Sequence, residues 1–188
     1  DAWLLNFPMS SLWNHDRKLI AEHGLLAGVD EAGRGPLAGS VVAATVCVTP
    51  EFFSARGMKK ACAEINDSKQ LKESRREEYF SQLRAWRDEG RLVFAVGEGS
   101  VAEIAAHNIL GATRLAMRRA LEQLPHTMPL VEDMPLFEQS DAKAVTRSPL
   151  ILVDGKPLKP FPYRHTALVK GDGRSFCIAA ASIIAKVI

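Results

Sequence analysis

The sequence predicts a single α/β domain with a mixed sheet flanked by helices. Three observations carry that prediction. Two apolar runs of strand character, Leu25–Val29 and Val41–Val48, come early and close together. Helical patterns then alternate with further short apolar runs, which places strands first and interleaved helices after them. The length of 188 residues suits one compact domain.

The elements follow in order. Residues 1–14 hold Trp3, Leu4, Leu5, Phe7, Leu12 and Trp13 without a clean period, so residues 1–24 read as an N-terminal extension ahead of a domain at 25–188. Leu25–Val29 reads as a strand, and so does VVAATVCV at Val41–Val48, bounded by Thr49-Pro50. Ser74-Arg-Arg-Glu77 has the form of a capping box, with Tyr79, Phe80, Leu83 and Trp86 at helical spacing behind it and Gly90 as a stop. Leu92–Val96 is another short strand. Ser100-Val-Ala-Glu103 opens a second helix, broken near Asn108 and stopped by Pro125. Four prolines and scattered acids with no period make 125–149 a loop or insertion. Leu150–Val153 is a buried-type strand ending in Asp154-Gly155, and Ser175–Ile188 is a helix of small residues.

Composition excludes several classes. With 47% hydrophobic and 24% charged residues, the chain has material for a core. A net charge of +2 means that any basic footprint is local rather than global. Three cysteines without paired spacing fit a reducing compartment, the cytoplasm, better than a disulfide framework or a zinc site. No apolar run reaches the ~18 residues that span a bilayer, and the N-terminus has no signal-peptide pattern. Neither a membrane nor an obligate protein partner is indicated.

Residues 28–39, GVDEAGRGPLAG, place two carboxylates beside a glycine-flanked arginine. A dinucleotide-binding fingerprint is a poor match, because a strand follows the glycines where that motif needs a helix, and Gly39 comes one residue late. Two readings remain: a hairpin with a solvated Asp-Glu pair, or a tight turn in which Gly33 and Gly35 let backbone approach a ligand while Arg34 offers its planar fork to phosphate or sugar. Asp154 is either a turn former or a ligand at the end of a buried strand. Asp172, in Lys170-Gly171-Asp172, either complements a helix dipole or joins the same cluster. Three such sites in one small domain suggest converging acids.

GVDEAGRGPLAG, Asp67-Ser68-Lys69-Gln70-Leu71, Asn108-Ile109-Leu110, LVDG, KGD and AAASIIAKV stand in an order that resembles type 2 ribonuclease H, ribonuclease HII. The resemblance runs from about residue 27 to residue 187. It implies a ribonuclease H-like mixed β-sheet flanked by helices. It implies endonucleolytic hydrolysis of RNA in RNA–DNA hybrids and at ribonucleotides embedded in duplex DNA, leaving 5′-phosphate and 3′-hydroxyl ends. It assigns Asp30, Glu31, Asp154 and Asp172 as catalytic and metal-binding residues. Hard oxygen donors of this kind suit Mg²⁺ or Mn²⁺, two ions during catalysis.

The same resemblance gives sensing of the ribose 2′-hydroxyl to Gly33, Arg34 and Gly35. Lys69 is a candidate phosphate contact or a solvated lysine, and Lys170 is a similar candidate. Asn108 meets the DNA strand or caps a helix. Type 3 ribonuclease H shares similar motifs but carries a sizeable N-terminal domain, for which the residues before the first strand are too few. A tyrosine that family members carry beyond the AKV block has no counterpart up to Ile188, so the chain is expected to be C-terminally truncated relative to the family and to cleave weakly or not at all. The alternative is a catalytically silent nucleic-acid-binding domain of the same fold.

Overall fold

Leu26–Ala32 forms β1, the middle of a five-stranded sheet in the order β3-β2-β1-β4-β5. The structure is a computed structural model that describes residues 10–34, 39–65, 71–125 and 148–188. β2 (Val41–Val48) lies antiparallel to β1, and β3 (Val93–Gly99) antiparallel to β2. On the other side β4 (Leu150–Asp154) runs parallel to β1, and β5 (Thr166–Leu168) parallel to β4. The sheet is therefore mixed, as expected. β2 has seven of its eight residues buried, which fits its nearly continuous apolar sequence.

Each face of the sheet carries its own core. Ala27, Val29, Val41, Ala43, Cys47, Ile151 and Val153 pack against α5 (Val101–Glu122) through Ala112, Ala116, Met117 and Leu121. Leu26, Ala44, Val46, Val48, Leu152 and Leu168 face α6 (Phe176–Val187) together with α1 (Ser10–His23), α2 (Pro50–Ser54), α3 (Met58–Ala61) and α4 (Glu73–Asp88). Trp13, Phe52, Phe53 and Phe176 form an aromatic group that fastens α1 and α2 to the start of α6. Such tilted and edge-on ring pairs add about 0.5–1.5 kcal/mol each beyond area burial.

The chain departs from the sequence expectations in places. α1 is a regular helix that begins inside the stretch 1–14, which shows no clean period, and its buried face is Leu12, Trp13, Asp16 and Ile20. α4 begins after Lys72 with no side-chain cap, so Ser74 lies inside the helix and the Ser74–Glu77 capping box does not form. At Ser100 the box does form: Ser100 accepts from Glu103 N–H, and Glu103 accepts from Ser100 N–H. α5 breaks at Asn108, whose φ of 58° and ψ of 173° are non-helical. The short α2, α3 and β5 were not anticipated. The expected insertion at 125–149 falls almost entirely outside the described residues. Among the described residues no helix is long and apolar enough to cross a membrane.

Candidate active site

Asp30 on β1 stands beside Asp154 at the end of β4. The parallel register runs from Leu26 opposite Leu150 to Val29 opposite Val153, so Asp30 and Asp154 each stand one step beyond the last pair. Neighbouring strands lie about 4.8 Å apart. Alternation along each strand puts Leu26, Gly28 and Asp30 on the face toward α6, with Leu152 and Asp154 on the same face. Gly28 is required there: a Cβ would stand 2.3 Å from Cys177 C and 2.4 Å from Ile178 N on α6. The α6 backbone thus presses directly on β1, two residues before Asp30.

Asp30 is 5% exposed. Its carboxyl is pushed up to about 7, first by burial and then by the negative charge of Glu31, with Asp154 adding to the same effect. A side-chain hydrogen bond with Ser182 and the Glu31 N–H, at 2.8 Å, work in the opposite direction. The Ser182 contact explains a polar residue in the otherwise apolar run CIAAASIIA of α6. That serine lay within the quoted motif, and its isolation among small apolar residues was the signal that could have singled it out.

Glu31 is half-buried and accepts from Arg34 at 2.7 Å. The Arg34 side chain is 46% exposed. Gly33 takes a φ of 89°, and a Cβ there would meet Ser40 O at 2.6 Å, so the turn leaving β1 admits only glycine at that position. Gly35 and Lys69 lie outside the described residues.

Asp154 accepts a 2.6 Å bond from Gly171 N–H. That bond draws the short 3-10 turn Gly171–Gly173 against the end of β4 and brings in Asp172, which is 3% exposed and accepts from Gly173 N–H at 3.1 Å. Lys170, immediately before, is exposed in a left-handed conformation with φ of 55°. Asn108 caps the second half of α5, its Oδ1 accepting from Leu110 N–H at 2.9 Å and Gly111 N–H at 3.1 Å. It is exposed, and its capping role is the one visible in the structure.

Asp30 and Asp154 therefore share one face, with Asp172 one residue beyond Gly171, whose N–H bonds Asp154. Glu31 is engaged by Arg34. Among the described residues no group of three or more His, Cys, Asp or Glu side chains is drawn together as a ready metal cage. The donor chemistry still suits a hard divalent cation. The donors are carboxylate oxygens, and Asp30 is held far above its ordinary range by burial and by neighbouring negative charge, both of which a bound cation would offset. The cysteines offer no alternative: all three are free and buried, and burial pushes the Cys47 thiol up to about 12 and Cys177 well above its usual value. His165 is half-buried, accepting from Leu158 N–H at 3.0 Å with its other ring nitrogen 2.9 Å from Tyr163 O, so it braces a loop.

Comparison with known proteins agrees with the fold. A family model described as Ribonuclease HII matches residues 27–188. A ribonuclease HII from Desulfitobacterium hafniense (strain DSM 10664 / DCB-2) is 41% identical over 162 residues, which is 86% of this chain and 50% of that protein. The chain thus spans about half the length of that curated relative. The crystal structure of the ribonuclease H2 from Pyrococcus horikoshii OT3 is similar with a TM-score of 0.58 at 27% identity, covering 87% of this chain and 71% of that one. Bst-RNase HIII, solved in complex with Mn²⁺, shares the fold with a TM-score of 0.60 at 21% identity, over 88% of this chain and 51% of that one.

Proposed function

The chain belongs to the ribonuclease HII family, and from that premise we propose that residues 25–188 form a domain that hydrolyses RNA paired to DNA, including single ribonucleotides embedded in duplex DNA. Asp30, Glu31, Asp154 and Asp172 would hold the divalent cations, Mg²⁺ or Mn²⁺, with two ions engaged during catalysis. The observation that carries this reading is Asp30, buried beside Glu31 and Asp154 on two neighbouring parallel strands with its carboxyl pushed up to about 7. A carboxylate so crowded by like charge gains most from a cation. The Mn²⁺ complex of a protein with the same fold fits that chemistry.

When bound, such cations stabilise the charge that develops on the attacking and leaving oxygens of an in-line displacement at phosphorus. The protein's own groups do the rest. Asp30 and Asp154 supply fixed oxygens from strands that cannot move independently. Ser182 and the Glu31 N–H favour the ionised form of Asp30. Arg34, exposed on the turn after β1, can exchange Glu31 for a phosphate or ribose oxygen of the substrate, and Gly33 keeps that backbone open to close approach. Gly35, Lys69, Lys170 and Asn108 would extend the contact along the nucleic acid. Water attack with departure of the 3′ oxygen leaves 5′-phosphate and 3′-hydroxyl ends and needs no covalent enzyme intermediate.

The test is cleavage of a DNA duplex carrying one ribonucleotide, beside an all-DNA duplex of the same sequence. The expected result is a weak cut in the ribonucleotide-bearing strand that requires Mg²⁺ or Mn²⁺, stops with a chelator and disappears in Asp154→Asn. Equal cutting of the all-DNA duplex, or cutting that survives the chelator, overturns the reading. Tight binding of the duplex without any cut supports the catalytically silent alternative instead.

A further inference from the structure

We infer that Asp16, on α1, is a positioning residue for the carboxylate site: it fixes the first turn of α6 and thereby the placement of Asp30 and Asp172 relative to each other. The inference rests on the function proposed above. Asp16 is fully buried at 0% exposure. Its Oδ2 accepts from Ser175 Oγ at 2.9 Å and from Cys177 N–H at 2.9 Å, while Oδ1 lies 2.9 Å from His15 Nδ1. Ser175 is itself the N-cap of α6 and accepts from Ile178 N–H at 3.3 Å. The start of α6 is thus closed by its own serine and by a carboxylate from a distant helix, a charge that the helix N-terminus favours.

That same turn is where both halves of the site attach. Ser175 N–H donates to Gly171 O at 2.8 Å, closing the turn that carries Asp172 and that bonds Asp154. Cys177 and Ile178 present the backbone against which Gly28 packs, two residues before Asp30. Further along the same helix, Ser182 reaches Asp30 itself. One buried carboxylate therefore holds the element that spaces Asp172 from Asp30. The helix that supplies it precedes the stretch matched by the family model, which begins at residue 27. Without Asp16, a buried N–H and a buried hydroxyl lose their acceptor, and the cost of that is relieved by movement of the turn. Catalytic constellations tolerate only about 0.5 Å of such movement.

The experiment uses the full chain with Asp16→Ala, Asp16→Asn, Ser175→Ala and, as a control on the same helix, Leu12→Ala. It reads Mn²⁺ affinity by calorimetric titration, kcat and KM on the single-ribonucleotide duplex, and melting temperature. Asp16→Ala is expected to weaken Mn²⁺ binding and to lower kcat by about tenfold or more each, the range seen for residues that orient ligands, with KM for the duplex within about twofold. Asp16→Asn, which keeps an oxygen for both donors, recovers most of the loss. Leu12→Ala lowers the melting temperature but leaves Mn²⁺ affinity and kcat near wild type. Ser175→Ala, which removes one of the two donors together with the α6 cap on Ile178 N–H, moves both quantities the same way and decides the matter if Asp16→Ala does not fold.

Wild-type Mn²⁺ affinity and kcat in Asp16→Ala, or in Ser175→Ala where that variant decides, overturn the inference and leave the functional reading intact. Equal losses in Leu12→Ala and Asp16→Ala overturn it in the same way. A wild-type chain that binds no Mn²⁺ overturns the functional reading and the inference together. A wild-type chain that binds Mn²⁺ without cutting removes the activity alone, and the Mn²⁺ affinities of the variants still decide the role of Asp16.

Discussion

Two buried aspartates bond to α6 in opposite circumstances. Asp16 is enclosed by donors: a serine hydroxyl, a backbone N–H and a histidine ring nitrogen. Asp30 is enclosed by Glu31 and Asp154, with Ser182 and one N–H among the described residues to favour its charge. Both sit where water is excluded, yet one has its charge compensated by the fold and the other does not. A carboxylate satisfied by donors holds structure together. One left among like charges is a place where the fold gives up stability for something it binds.

The largest effects should come from removing the acids of the candidate metal site. Asp30→Asn and Asp154→Asn should each lower kcat by about a thousandfold or more, since cation stabilisation of the transition state is worth several kcal/mol. Duplex affinity should change little. A variant with near-normal turnover takes that residue out of the metal site.

Asp30 also predicts a pH dependence with a definite sign. Its carboxyl rises from 3.8 in the unfolded chain to about 7 when folded. Between those values the folded chain holds a proton that the unfolded chain has released. The resulting stabilisation is full below the lower value and is lost as pH rises through the upper one, by about 4 kcal/mol at most. Metal-free protein should therefore melt at a lower temperature at pH 8 than at pH 5, and Asp30→Asn should flatten that trend while removing cleavage. Melting curves without metal across that range check it, and an unchanged slope in Asp30→Asn places the titration elsewhere.

Gly28→Ala tests the contact that joins the two regions. Its Cβ would meet α6 backbone, which cannot rotate away, so the expected loss of stability is about 3 kcal/mol, with misalignment of Asp30 as a further consequence. Chemical denaturation measures it, and a loss under about 1 kcal/mol would mean that β1 and α6 separate easily. Arg34→Ala should have the smallest effect on the fold, within about 0.5 kcal/mol, because its pair with Glu31 is exposed. It should still lower kcat/KM about tenfold if Arg34 bonds a substrate oxygen. Unchanged kcat/KM makes it a bystander.

The same contrast explains what the sequence made legible. β2 was visible from its β-branched run, and β4 from an apolar run ending in an acid. The Ser100–Glu103 box and the break at Asn108 were visible because local chemistry dictates them. The acids stood out beside glycine turns, but each also had an ordinary reading as a turn former or a helix-dipole charge, and their assignment as a set came from the resemblance to ribonuclease HII. α1 escaped notice because only its first turn falls within 1–14, while its buried stripe continues beyond that stretch to Asp16 and Ile20. The links from Asp16 to Ser175 and from Ser182 to Asp30 join residues far apart along the chain, and no spacing rule predicts them. The start of α4 was misread because Ser74 had the right neighbours for a cap, while the chain entered its helix after Lys72. β5, with three residues, is too short to leave a pattern.

The most direct test of the central claim is the titration of Asp30 itself, followed by carboxyl carbon NMR in the metal-free protein and again with saturating Mg²⁺. The account predicts a midpoint near 7 without metal, as burial and the neighbouring acids require, and a fall below about 5 when the cation is bound. A midpoint in the ordinary aspartate range that Mg²⁺ leaves unmoved would contradict it.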